Sequence, residues 1–87
     1  MAKVIVRHKV ENYDSWKPVF DQAFEMRKQS GEVSFKLFRG VVDSNEVIGI
    51  FEWDSIERAK EFLESDEIKA KMQEAGVNEK PDIYFLE

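Results

Sequence analysis

The sequence predicts an α+β fold in which one four-stranded antiparallel sheet carries two helices on a single face. Four short runs rich in β-forming residues and two longer stretches with apolar residues at helical spacing follow one another in the order βαββαβ. Right-handed crossovers place both helices of such a chain on the same side of the sheet, the split βαβ or ferredoxin-like arrangement. The third observation concerns residues 47–53, VIGIFEW, a β-forming run that is apolar at nearly every position instead of at every second one. A strand of that kind needs cover on both of its faces.

The first strand spans residues 3–10, KVIVRHKV, with Val4, Val6, His8 and Val10 on one face and Ile5, Arg7 and Lys9 on the other. From about Asp14 to Gln29, Trp16, Val19, Phe20, Ala23 and Phe24 recur at helical spacing. Asp14 or Ser15 is the expected cap, which puts Pro18 in the first turn, where its missing N–H does no harm. A start at Asn12 would require a kink. Gly31 is the expected C-terminal stop. SFKLFRGVV and EVIGIFEW, separated by Asp43-Ser44-Asn45, read as a hairpin. Asp54 and Glu57 form a D-x-x-E variant of the capping box, opening a helix that carries Ile56, Ala59, Phe62 and Leu63. Ser65-Asp66 reads as a second cap or break, after which a helical stretch with Ile68, Met72 and Ala75 ends at Gly76. Asp82 to Leu86 closes the sheet.

With 87 residues the chain holds one core, so residues 1–87 are expected to form a single domain. A net charge of -5 disfavours a phosphate-tracking surface, and nucleic acid is not an expected partner. VIGIFEW also lacks the order and the basic residue of an RNA-binding RNP1 strand. The absence of cysteine removes disulfides, thiolate nucleophiles and cysteine zinc sites. No signal peptide or long apolar span is apparent, so a cytoplasmic protein without a membrane partner is expected.

Two helices about 10 Å across cover one face of four strands spaced about 4.8 Å apart, and no more. The other face must hold either Val47, Phe51 and Trp53 or Ile48 and Ile50, with Phe35 and Leu37 or Phe38 from the neighbouring strand. Either set left wet would forgo roughly 1.5–3 kcal/mol per side chain, comparable in sum with the stability of a small domain. A second copy packed sheet against sheet is the economical cover.

The junction Phe51-Glu52-Trp53-Asp54-Ser55, the Ser65-Asp66-Glu67-Ile68-Lys69-Ala70 segment and the closing Pro81 to Glu87 resemble the dimeric α+β barrel superfamily over essentially the whole chain. Within it the chain is similar to antibiotic biosynthesis monooxygenase-like and polyketide-cyclase-like proteins. The resemblance implies a homodimer whose two sheets face each other, a ligand pocket between sheet and helices, and chemistry such as cofactor-free oxygenation or cyclisation of a small aromatic or polyketide-like compound. It also places Trp53 where haem-degrading members carry a pocket tryptophan. This chain has Met72 in the helix where those enzymes need a haem-ligating histidine. It also has no histidine between Phe62 and Ile68, where quinol-oxygenase members carry theirs.

His8, the sole histidine, is the candidate general base for a phenol or enol, because imidazole titrates near working pH; a structural, hydrogen-bonded role is the competing reading. Trp16, Phe20 and Trp53 are candidate substrate-binding walls for a planar molecule, drawn from an aromatic set that also includes Phe24, Phe35, Phe38, Phe51 and Tyr84. Arg27 or Arg39 could anchor an anionic or enolate ligand through the guanidinium fork, although the simpler reading leaves both on the surface. One histidine with scattered carboxylates has no metal-ligand spacing, so neither metal nor cofactor is expected. No G-x-S-x-G marks a serine nucleophile. A small-molecule-binding or stress-associated dimer without catalysis remains the alternative.

Overall fold

In the computed structural model, which describes residues 2–77 and 80–87, four strands and four helical segments follow one another: β1 (Ala2–Lys9), α1 (Tyr13–Gln22), α2 (Phe24–Gln29), β2 (Glu32–Arg39), β3 (Glu46–Trp53), α3 (Ile56–Leu63), α4 (Asp66–Glu74) and β4 (Asp82–Leu86). The sheet order is β2-β3-β1-β4 and every pairing is antiparallel, the ferredoxin-like topology expected from the element order. Each expected helix is a pair of shorter ones. The second break falls at Ser65 as expected, and the first falls at Ala23.

At that first break the Ala23 amide is shared between the Val19 and Phe20 carbonyls, both at 3.2 Å, so the helix tightens for one residue before resuming. The N-cap of α1 is Asn12, not Asp14 or Ser15. Its Oδ1 accepts the Ser15 N–H at 3.1 Å, and Pro18 therefore lies in the second turn. There it leaves the Asp14 carbonyl without its helical donor, which costs little because Asp14 and Pro18 are both exposed. The cap of α3 is Ser55 (Ser55 Oγ to Arg58 N, 3.2 Å), because Asp54 pairs instead with the Arg58 guanidinium. Gly31 and Gly76 follow their helices with φ of 119° and 86°, the left-handed stop that glycine adopts without strain. In the hairpin, β2 ends at Arg39 rather than at Val42. Gly40 donates to the Glu46 carbonyl at 2.8 Å, and Val41 and Val42 lie in the loop, fully exposed.

Strand alternation divides the sheet into two unlike faces. On the helix side lie Val4, Val6 and His8 of β1, with Val47, Gly49, Phe51 and Trp53 of β3. A core cluster centred on Val4, Phe51, Trp53, Ala59 and Phe62 fills one end, and a second centred on Val10, Trp16 and Val47 fills the other. The opposite face carries Ile5, Ile48, Ile50, Phe38, Tyr84 and Leu86. It is thus the Ile48 and Ile50 option of VIGIFEW that lies on the uncovered face, and no element of the described chain packs over it. No helix is long and apolar enough to cross a membrane among the described residues.

Candidate functional site

The alternation of β1 turns His8 toward the helices at the strand's end, beside Val47 of β3. There it is buried, and its ring meets Trp16 of α1 edge-on at 5.5 Å. The Nδ1 atom is buried and has no hydrogen-bond partner. Burial pushes the imidazole down to about 4, so at neutral pH it is uncharged and one ring nitrogen can accept a proton. The hydrogen-bonded structural role considered for this histidine has no partner at that atom.

Helical spacing then builds an aromatic wall leading away from His8. Trp16 stacks on Phe20, one turn on, with centroids 5.0 Å apart, and Phe20 meets Phe35 of β2 edge-on at 5.3 Å. Arg27 continues the same stripe, two turns beyond Phe20, and its guanidinium lies 3.7 Å from the Phe20 ring. Arg27 is therefore not a surface side chain: the residue is 5% exposed. Arg39 is exposed; it donates from Nε to the Ser44 carbonyl and stacks on Tyr13.

Arg27 is held by a partner that the sequence reading did not single out. Its Nε donates to Glu32 Oε1 at 2.9 Å and its Nη1 to the Phe20 carbonyl, while Nη2 is buried with no partner. The two side chains are 6% and 2% exposed, so the ion pair is dry. Burial lowers the Arg27 guanidinium from its ordinary value and raises the Glu32 carboxyl, and each opposes the other's shift as a counter-charge. Glu32 reaches this position because it opens β2 opposite Trp53, just before a β-bulge that restores the alternation of Phe35 and Leu37.

His8, Trp16, Phe20, Arg27 and Trp53 all line one cavity between the sheet and the helices. The cavity offers about 80 Å³ to the centres of water-sized molecules, where a single water takes about 10–15 Å³ by the same measure. Its floor is thinned at Gly49, which faces the helices with no side chain; a Cβ there would lie 2.5 Å from the Phe51 ring. On the far side Ile68 and Met72 of α4 close it, and Lys71, whose side chain is 39% exposed, stands at its edge. Trp53 packs against Phe62 at 5.3 Å. Phe38 and Tyr84 of the aromatic set lie on the other face of the sheet, exposed. Among the described residues no three of His, Cys, Asp and Glu gather as a metal-binding group.

The polar atoms of the cavity are anchored at two levels of the sheet. His8 is level with Val47 and Glu32 with Trp53, six residues apart on β3, but the side chains converge. The contacts of His8 with Trp16 at 5.5 Å, of Trp16 with Phe20 at 5.0 Å and of Phe20 with the Arg27 guanidinium at 3.7 Å keep that guanidinium within about 14 Å of the His8 ring. The site therefore offers two polar ends joined by apolar and aromatic walls.

No protein-family model matches the sequence, and no curated protein matches it. Solved structures do share its shape. An antibiotic biosynthesis monooxygenase superposes with a TM-score of 0.75 at 16% identity, over 100% of this chain and 97% of that one. SnoaB, a cofactor-independent oxygenase from Streptomyces nogalater, gives 0.77 at 14% identity, over 99% of this chain and 90% of its own. A conserved protein from Methanosarcina mazei Go1 gives 0.73 at 12% identity, over 97% and 88%. The chain has the fold of the antibiotic biosynthesis monooxygenase-like proteins.

Proposed function

We propose that this protein is a homodimer that binds a small planar, largely apolar molecule between sheet and helices and carries out cofactor-independent oxygenation or cyclisation on it, with His8 as proton acceptor. The observation that carries this reading is the pair of buried nitrogens without partners, His8 Nδ1 and Arg27 Nη2, on residues lining one apolar cavity. Unsatisfied buried polar atoms are costly, and a ligand's polar groups would supply the missing partners. Uncharged His8 would take the proton of a phenol or enol, leaving an electron-rich enolate or phenolate. In the oxygenation, that anion donates electrons to O2. A substrate CH2 becomes C=O with one oxygen atom, and the second oxygen leaves as water with the two hydrogens. Trp16, Phe20 and Trp53 would hold the ring system flat, and Arg27 would fix its far end. The likeness in fold to a cofactor-independent oxygenase supports the same reading.

The test is oxygen uptake and product analysis with dihydroxynaphthalenes and small anthrone-like phenols. Turnover by the wild type, falling about a hundredfold or more in His8→Gln with substrate binding retained, is the expected result. Saturable binding with no turnover would instead support a non-catalytic binding protein. One observation favours that second reading: an imidazole held at about 4 is a weak base until a ligand raises it.

A further inference from the structure

The buried ion pair at the Arg27 end of the cavity carries more than an anchor. We propose that Glu32 sets the ligand preference of this end: by matching the charge of Arg27 it reserves the free Nη2 for a neutral carbonyl oxygen and disfavours a carboxylate. This rests on the small-molecule reading of the cavity given above. A lone buried guanidinium would draw an anion, because an unmatched charge in an apolar wall is costly. Here the match is already made. Glu32 Oε1 accepts from Nε, the Phe20 carbonyl accepts from Nη1, and the Phe20 ring lies beneath the guanidinium. One unpartnered nitrogen is left in a site of zero net charge. A carbonyl oxygen completes Nη2 without adding charge, whereas a carboxylate would leave the dry site with an excess negative charge.

The other charges nearby do not alter this balance. Asp21 adds a weak attraction to Arg27 from the surface, where it is held by Lys17 Nζ at 2.7 Å. Lys71 stands at the cavity edge, 3.8 Å from Glu74 and hydrated. Neither substitutes for Glu32 in the apolar wall.

The experiment compares acetophenone with benzoate, which differ chiefly in a methyl against a charged oxygen, and uses toluene as the apolar control. Binding is followed at neutral pH by titrating the indole N–H resonances of Trp16 and Trp53, which both line the cavity. The expected result is binding of acetophenone about tenfold or more tighter than benzoate in the wild type, with the order reversed in Glu32→Gln. That substitution keeps an acceptor for Arg27 Nε and removes the charge. Benzoate binding as tightly as acetophenone to the wild type, or an unchanged ketone preference in a folded Glu32→Gln, overturns the role of Glu32 while leaving the cavity as a binding site. Failure of all three compounds to shift either indole overturns the cavity reading itself and this inference with it. Should Glu32→Gln not fold by circular dichroism, the wild-type ratio decides alone.

Discussion

His8 is one of two buried groups, with Glu32, through which pH acts on this fold. Its folded-state value of about 4 lies below the ordinary 6.5, so the unfolded chain binds the proton more tightly. The stability that depends on keeping the ring neutral is fully present above 6.5 and is withdrawn as pH falls toward 4, with no further loss below that. The contribution is about 3 kcal/mol at most. Denaturant melts of wild type and His8→Gln at steps across that range should show a loss in the wild type that the variant lacks. The difference between the two curves is the diagnostic quantity, because Glu32, raised by burial, acts in the opposite sense as the medium becomes acidic. Gly49 allows a second residue-scale expectation. Its missing side chain leaves room in the cavity floor, and Gly49→Ala drives a methyl toward the Phe51 ring and against Leu37. The melting midpoint should fall by the equivalent of about 1–3 kcal/mol and ligand binding should weaken with it; an unchanged affinity would mean that bound molecules do not use this part of the floor. At this scale His8 and the tryptophans were legible as alternation and helical spacing. Arg27 was legible in principle, since it stands at the eleventh position after Trp16 on the same stripe as Phe20 and Ala23. Its charge argued for the surface, and only Glu32, five residues on and across a turn, resolves the contradiction.

Among the elements, α4 is a wall attached mainly through its sequence neighbour α3. Its cap is Ser65, whose Oγ donates to the Phe62 carbonyl at 2.7 Å and accepts from Ile68 N at 3.3 Å, joining the end of α3 to the start of α4. Ser65→Ala should cost about 1 kcal/mol. The cost should appear chiefly as faster amide exchange in Ile68 to Met72, which close the cavity, while β1 and β3 remain protected. Uniform acceleration across the sheet would show that α4 does not open by itself. The sequence made this break legible because Ser-Asp before an apolar period is a local signal. The break at Ala23 was not legible, because it has no side-chain cap and arises from one shared amide. The start of α1 is ambiguous in the sequence for a related reason: proline is harmless in the first turn, but an Asn12 cap with Pro18 on an exposed second turn is tolerated as well. In the hairpin, strand propensity extends past the true end of β2. Val41 and Val42 have strand propensity, but the Gly40 to Glu46 hydrogen bond closes the ladder before them.

The whole molecule poses the question of what covers the second face of the sheet. Phe38, Tyr84 and Leu86 there are 51%, 56% and 44% exposed around the half-buried Ile5, Ile48 and Ile50. Of the charges bordering this apolar centre, Arg7 is engaged within the chain, bonding Glu46 at 2.5 Å and Asp82 at 3.1 Å, whereas Lys36, level with Ile50, and Lys3 and Glu52, level with each other, are left at the rim for a partner to meet. In a two-fold dimer each substitution acts twice, once from each copy. Ile50→Ala should therefore raise the dissociation constant by about a hundredfold or more while leaving the monomer folded, because the deleted atoms lie outside the chain's own core. Phe51→Ala, one residue away on the helix side, should do the opposite. It should lower stability by about 3–5 kcal/mol and leave the association of the folded fraction intact. Light scattering over a dilution series separates the two effects. A wild-type mass near twice the 10.2 kDa chain, lost in Ile50→Ala and kept in Phe51→Ala, places the partner on the Ile48–Ile50 face. A wild type that stays monomeric, or a dimer indifferent to Ile50, would remove the second sheet from the account and leave the cavity to function within a single chain.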